Sequence, residues 1–450
     1  MFNKINKIHL VGIGGSGMCG IAEVLLNLGY HVTGSDIKKT SVTERLVTLG
    51  AVINYEHKEE NVLSSDVVVV STAINYENPE IKEAKEKKIP IIPRAEMLAE
   101  LIRMKYAITI AGSHGKTTTT SLMANILAYA NMDPMVVNGG ILNSLNSSVR
   151  MGNGELVVVE ADESDGSFLL LSPTLTIVTN IDKEHLDFYK TMDALREAYV
   201  KFINKIPFYG CSALCLDDEN VQSIIPQVKR KYFTYGLKTQ ADIRASNIQS
   251  KGMRSEYEVI AFGNNMGKVT LNIPGIHNVC NSLACFGIGL ELNVDPENIK
   301  QGLANFSGVR RRFQIKGEIN GIMIVDDYGH HPTEIKATLN VGSGFGRRLI
   351  VIFQPHRYSR TKLLLDEFAK CFDLADEVVI TDIYPASEQP IEGITGERLK
   401  DKIKEHSPDK QVVFVPRTDI VNYAAAAVKA GDLIITLGAG DITKICDELA

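Results

Sequence analysis

No stretch of the 450 residues approaches the roughly 18 continuous apolar residues that a membrane-spanning helix needs. No membrane insertion is therefore expected. The opening residues, MFNKINKIHL, lack a long apolar core and run straight into a strand pattern, so no secretory signal is expected and the expected location is cytoplasmic. Basic charge is not in excess. Lys and Arg total 48 against 54 Asp and Glu, a net charge of −6, with a pI near 6.0. A nucleic-acid surface needs clustered Lys and Arg to displace counterions, so no nucleic-acid partner is expected. Cysteines number only seven and are scattered. Cys211 and Cys215 stand four apart with no second pair at zinc-ribbon spacing, which reads as reduced, buried thiols. Internal repeats, low-complexity tracts and a nucleophile elbow are missing as well.

What is present is the apolar stock of a large globular protein: 44% hydrophobic and 23% charged residues over a length suited to roughly three domains. Short apolar runs alternate with helical stretches at βαβ spacing. They are KIHLVG (7–12), YHVTGSD (30–36), DVVVVSTAI (66–74) and IPIIPRAEML (89–98). The pattern restarts with YAITIAG (106–112), a helix over 117–130, ELVVVEADES (155–164) and LTIVTNID (175–182). It restarts again beyond the basic run VRRRFQ, with GIMIVDDYGHHP (321–332), RLIVIFQPHRYSR (348–360), EVVITDIYP (377–385) and DLIITLGAGD (432–441). The expected fold is α/β in three domains: 1–105, Rossmann-like; 106–312, P-loop ATPase-like; and 313–450, Rossmann-like.

Each run ends in glycines or polar residues, at the strand ends where open α/β sheets gather ligands. Two of these ends read as phosphate cradles. VGIGGSGMCG (11–20) fits G-x-G-x-x-G through Gly12, Gly14 and Gly17, with Asp36 following at the end of the next strand. Taken alone this is a dinucleotide site, with Asp36 on a ribose hydroxyl. AGSHGKTTTT (111–120) supplies Gly112, Gly115, Lys116 and Thr117 between a strand and a helix. It is a shortened P-loop, since Ile110 stands where the usual first glycine would. Lys116 is placed on the β- and γ-phosphates and the Thr117 hydroxyl on Mg²⁺. Glu160, ending one apolar strand, and His185, following another, are further candidates to hold Mg²⁺ beside the P-loop.

Together these residues resemble the Mur ligase family. GIGGSGMCGIAE, GSHGKTTTT, EADESD, NIDKEHLD, GIHNVCNSLA, GVRRRFQ, DDYGHHPTE and FQPHRYSRT keep the family's motif order over the whole length. They are most similar to the member that joins L-alanine to UDP-N-acetylmuramate. The resemblance implies that the first cradle holds the pyrophosphate of a UDP-sugar and the second holds ATP. It places Gly12, Gly14, Gly15, Ser16, Gly17 and Met18 on the UDP diphosphate, with Asp36, Thr72 and Arg94 completing that site. It places Gly112, Ser113, His114, Gly115, Lys116, Thr117 and Thr118 on the ATP phosphates, and Asn180, His277 and Asn281 at the adenine. Tyr328 and His330 reach the nucleotide and substrate from the third domain. His356, Arg357 and Arg360 lie near the amino-acid and carboxylate end. Lys116, Glu160, His185, His330, Arg357 and Arg360 form the implied catalytic set, with ATP and Mg²⁺ as cofactors and a monomer or weak homodimer as the working form. The sequence departs from some siblings at Val200, where they carry a carbamylated lysine. Lys201 is adjacent, and no carbamate is assigned. An NAD-dependent dehydrogenase, a nucleotide switch and a sibling ligase adding a preformed peptide are the alternative readings.

Overall fold

The computed structural model describes residues 5–71, 74–142 and 147–450; at residues 16, 139–142, 147 and 148 it describes the backbone alone. Thr72 therefore lies outside the described residues. The chain divides into two compact units. The first comprises residues 1–246, 259–267 and 280–305, and the second 247–258, 268–279 and 306–450.

The first unit opens with a five-stranded sheet, all of it parallel. Its order is Val52–Asn54, His31–Ser35, Lys7–Val11, Val67–Val70, Ile91–Pro93. The order reverses beside Lys7–Val11, so the turn after that strand opens at a switch point, the usual ligand crevice of such sheets. IPIIPRAEML proves to be two elements. Only Ile91–Pro93 is strand, and Arg94–Ile102 is a helix. Pro93 caps that helix, and good helix formers with a buried stripe of Met97, Leu98, Leu101 and Ile102 carry it on.

A second sheet runs Tyr232–Gly236, Cys211–Cys215, Leu175–Val178, Tyr106–Ala111, Leu156–Glu160, Met135–Leu142, parallel throughout, with Ser147–Arg150 antiparallel at the edge. Ile243–Lys251, Arg254–Ala261 and Asn264–Leu271 continue it, and the chain division falls within them. Val157, Val158, Ile108, Ile110, Ile177 and Leu214 are fully buried, as continuous apolar runs in a sheet covered on both faces must be. The second unit is built on a six-stranded sheet: Gln314–Ile319, Ile322–Asp327, Leu433–Leu437, Leu349–Phe353, Glu377–Ile380, Gln411–Phe414. Only its first pair is antiparallel. Among the described residues no helix is long and apolar enough to cross a membrane.

Candidate functional site

Tyr106–Ala111 runs into the second cradle and the helix Lys116–Tyr129 leaves it. Two glycines shape the turn. Gly112 has φ +137°, and a Cβ there would fall 2.0 Å from Thr179 Oγ1. Gly115 takes the left-handed conformation, φ +82°, at the helix cap, where a side chain would be strained. The loop is braced from the next strand end. His114 N–H donates to Asn180 Oδ1 at 2.9 Å, Asn180 Nδ2 donates back to the His114 carbonyl at 3.1 Å, and Thr179 Oγ1 donates to the same carbonyl at 2.6 Å. Asp182 N–H donates to Ser113 Oγ at 2.8 Å, and His114 Nε2 lies 2.9 Å from Asp182 Oδ2. Asn180, which the resemblance puts at the adenine, is thus a clamp on the phosphate loop. Asn281 packs on Gly115 from the helix Ile276–Glu291, its amide about 3.1 Å from where a Cβ would stand. Thr117 is half-buried in the first helical turn and Thr118 is buried behind it.

Lys116 is held back against its own loop. Its Nζ donates to the Gly112 carbonyl at 2.6 Å and to both oxygens of Glu163 at 2.9 Å. Burial works against the lysine's charge, but Glu163 and Asp162 outweigh it and hold the ammonium above its usual range. Burial pushes the Glu163 carboxyl up, and Lys116 pulls partly against that. Glu163 is completely buried. His185, at φ +57° on the cap of a short helix, sets Nε2 3.8 Å from Glu163 Oε1 and 3.9 Å from Glu184 Oε2. Tyr189 O–H donates to the Glu163 carbonyl at 2.6 Å. The sequence motif EADESD singles out Glu160, which ends the strand Leu156–Glu160 half-buried. The acid that actually meets Lys116 is Glu163, three residues on. Periodicity carries no sign of this, because the chain has left the strand and turns before Glu163.

In the first cradle Gly12 takes φ +79°. Its N–H and that of Ile13 both donate to the Ser35 carbonyl, at 2.9 and 3.0 Å. Asp36 faces the loop itself, with Oδ2 accepting from Gly14 N–H at 2.9 Å and Oδ1 from Lys38 N–H at 3.1 Å. A Cβ on Gly14 would stand 2.8 Å from Asp36 Oδ2, and one on Gly17 would stand 2.7 Å from Arg94 Nη1. Gly15 caps the helix Ser16–Asn27, and Ser16 is its first residue. Met18 is 1% exposed, its side chain in the core and its N–H donated to the Gly15 carbonyl at 3.0 Å. Arg94 also reaches 3.8 Å from Asp162 Oδ2, one residue before Glu163. It therefore touches the surroundings of both cradles, which the sequence does not reveal. Two cavities of about 440 and 660 Å³ share the Tyr106 and Glu155 end of the sheet, opposite the cradles.

The second unit gathers its own polar cluster. Leu349–Phe353 leads to His356 and Arg357, and Arg357 holds φ +70°, ψ 137° at the cap of Tyr358–Leu363. Few non-glycine residues sit there, and such strain collects at functional sites. Arg360 Nη1 lies 3.1 Å from His356 Nδ1. His356 stacks on Tyr384 at 5.6 Å and meets the His330 ring at 5.8 Å. Burial, with His330, Arg360 and Arg357 around it, pushes the His356 imidazole down to about 3, so its Nδ1 accepts the arginine's hydrogen bond as a neutral ring. The basic run is spent inside the unit: Arg311 donates to the Gly438 carbonyl at 2.6 Å, and both Arg311 and Arg312 lie over the Tyr328 ring at 5.0 and 5.1 Å. His277 is exposed at the start of its helix. Lys201 is exposed and paired with Glu197 at 2.9 Å.

Residues 7–106 match the model of the Mur ligase family, catalytic domain; residues 110–289 that of the Mur ligase middle domain; and residues 311–440 that of the Mur ligase, glutamate ligase domain. A UDP-N-acetylmuramate–L-alanine ligase of Geotalea daltonii is 55% identical over 100% of this chain and 98% of its own. One of Trichlorobacter lovleyi is 54% identical over 100% and 99%. Among solved structures, a UDP-N-acetylmuramate-alanine ligase of Thermotoga maritima matches with a TM-score of 0.83 at 30% identity, covering 98% of each chain. A murein peptide ligase of Psychrobacter arcticus matches with a TM-score of 0.72 at 25% identity, covering 99% of this chain and 98% of its own. With the two cradles, the lysine-bearing loop and these matches along its length, the chain belongs to the Mur ligase family.

Proposed function

We propose that the chain uses ATP to join L-alanine to the carboxylate of UDP-N-acetylmuramate, a step in making peptidoglycan precursors in the cytoplasm. The observation that carries this reading is the pre-formed loop Gly112–Thr118, with Lys116 seated on buried Glu163 beside His185. Full-length relatives named for this reaction, at 52–55% identity, support it. The higher identity and TM-score to an alanine ligase than to a murein peptide ligase favour a single amino acid over a preformed peptide.

A carboxylate is a poor electrophile, so it must be activated. It attacks the γ-phosphorus of ATP, giving an acyl phosphate and ADP. The alanine amine then attacks the acyl carbon, losing a proton, and phosphate leaves. Positioning and charge neutralisation carry such phosphoryl transfers. Lys116 turns its ammonium from Glu163 to the phosphates. Asn180 and Thr179 hold the loop backbone in place while the lysine turns. Mg²⁺, when bound, neutralises charge on the transferring group. The Thr117 hydroxyl and the Glu160 and Glu163 carboxylates would hold the ion with His185, the oxygens suiting a hard cation better than the imidazole nitrogen.

Gly12, Gly14 and Gly15 shape the loop with their N–H groups turned inward, so that the backbone of Ser16 and Gly17 at the helix start meets the UDP diphosphate, with Asp36 bracing the loop and Arg94 beside it. Residues 1–105 serve the UDP-sugar and 106–312 serve ATP, with Asn281 packed on the loop and His277 given to the base on the family resemblance alone. Residues 313–450 serve alanine and the acyl phosphate through Tyr328, His330, His356, Arg357 and Arg360. The working form is a monomer or weak homodimer. The test is release of phosphate with ATP, Mg²⁺ and UDP-N-acetylmuramate on adding each common amino acid in turn. Phosphate should appear with L-alanine and carry UDP-N-acetylmuramoyl-L-alanine with it. Turnover with a preformed tripeptide and none with L-alanine would overturn the reading.

A further inference from the structure

Cys211 and Cys215, the pair noted in the sequence, lie on one strand but are not partners in space. Cys215 ends the strand Cys211–Cys215, and its Sγ stands 3.8 Å from the Sγ of Cys280 on the helix Ile276–Glu291. Cys280 Sγ is 3.7 Å from Asp217 Oδ2. The two sulfurs and the carboxylate oxygen all lie within 4.8 Å of one another. The partners come from a strand end, the turn after it and a helix more than sixty residues on, so sequence spacing could not show them.

The spacing fits one coordination polyhedron. Tetrahedral zinc with bonds of about 2.3 Å to sulfur and about 2.1 Å to oxygen has edges of about 3.8 Å between two sulfurs and about 3.6 Å between sulfur and oxygen. Two of the three separations, 3.8 and 3.7 Å, lie within about 0.1 Å of those edges, and the third is within 4.8 Å. The carboxylate is already oriented as a ligand should be. Asp217 Oδ2 accepts from Leu237 N–H at 2.7 Å and Oδ1 from Lys238 N–H at 3.2 Å, the supporting hydrogen bonds that tune metal-binding carboxylates. Cys215 is buried while Cys280 and Asp217 are half-buried, which leaves an entry path and a fourth position for water. Cys211, Cys285, Cys371 and Cys446 are buried, and Cys285 Sγ turns instead to the Thr119 carbonyl at 3.5 Å.

We propose that Cys215, Cys280 and Asp217 form a binding site for a thiophilic divalent cation of the zinc class, separate from the nucleotide cradle. Bound there, the cation ties the strand end to the helix whose next residue, Asn281, packs on Gly115 of the phosphate loop. This inference is independent of the ligase reading. The site takes two thiolates, so loading releases their protons to solvent and requires a reduced chain.

The test uses the full chain, reduced and freed of metal, titrated with Cd²⁺ alone. The ultraviolet thiolate-to-cadmium charge-transfer band should rise and saturate at one equivalent, and Zn²⁺ should then displace it. Cys280→Ser should remove at least half of the band. Asp217→Asn should keep the band but weaken binding at least about tenfold. Cys285→Ser should change neither. A band absent at one equivalent, or unchanged in the Cys215→Ser/Cys280→Ser double variant, overturns the site. X-ray absorption of the zinc-loaded wild-type chain needs no variant. Two sulfur neighbours at about 2.3 Å with two lighter ones are expected, and no sulfur shell, or four sulfurs, overturns it.

Discussion

Lys116 and Glu163 have to be tested as a pair. Lys116→Ala should abolish most ligation, by roughly 10²–10³-fold, the scale of losing one pre-positioned charge-stabilising donor. It also strands a fully buried carboxylate, a change that costs roughly 3–5 kcal/mol when a buried ion pair loses one member. Adding Glu163→Gln should restore much of that stability and none of the ligation, measured by urea unfolding beside phosphate release. Calorimetry should find UDP-N-acetylmuramate binding nearly unchanged in both variants, and NAD binding in neither. Arg357 separates strain from function in the same way. Glycine relieves φ +70°, so Arg357→Gly should raise stability by roughly 1 kcal/mol. If the guanidinium grips a carboxylate or acyl phosphate, Arg357→Gly and Arg357→Lys should both lower kcat/KM by roughly 1.5–3 kcal/mol of transition-state binding. Wild-type kinetics in both would make Arg357 a surface charge.

At the scale of elements, the first sheet carries a buried polar knot as well as a cradle. Glu80, at the start of the helix Pro79–Glu86, is fully buried. It accepts from Ser35 Oγ at 2.6 Å and from Asn61 Nδ2, with His57 Nδ1 at 3.0 Å and His9 Nε2 at 3.5 Å. Burial alone would raise its carboxyl, but the bonds from His9, Ser35, Asn61 and His57 outweigh burial and hold it at about 2, from 4.5. A carboxylate held low stabilises the fold above its unfolded value and loses that contribution as pH falls through its folded one. The first sheet should therefore lose on the order of 3 kcal/mol between pH 4.5 and about 2. Glu80→Gln should flatten that part of the acid-unfolding curve, and an unchanged curve would refute the assignment. The helix Arg94–Ile102 was hidden because Pro90 and Pro93 bracket an apolar pair and read as one extended run. The strands Lys7–Val11, Tyr106–Ala111 and Leu349–Phe353 were legible because continuous apolar runs stop at glycine or polar residues. Lys116 was legible from its loop. Glu163, Thr179 and the reach of Arg94 to Asp162 were not, because a turn or another strand's register decides what faces the loop.

At the scale of the molecule, a chain of net charge −6 works on anions. Its summed field does not draw them in, so capture rests on the two local cradles. Raising salt from 50 to 200 mM should then alter kcat/KM for ATP by no more than about twofold, against the steep fall of a basic, steered site. A tenfold fall would show steering that the charge count conceals. The cradle around Lys116 adds a condition of its own. Its lysine already has an anion, bonded through both oxygens at 2.9 Å. A lone phosphate or sulfate arriving there gains the lysine only by leaving the buried Glu163 carboxylate without its ammonium partner. A guest that brings positive charge with it leaves both acids matched. The loop should thus discriminate by exchange, holding a bare small anion more weakly than one that comes with its own counterion.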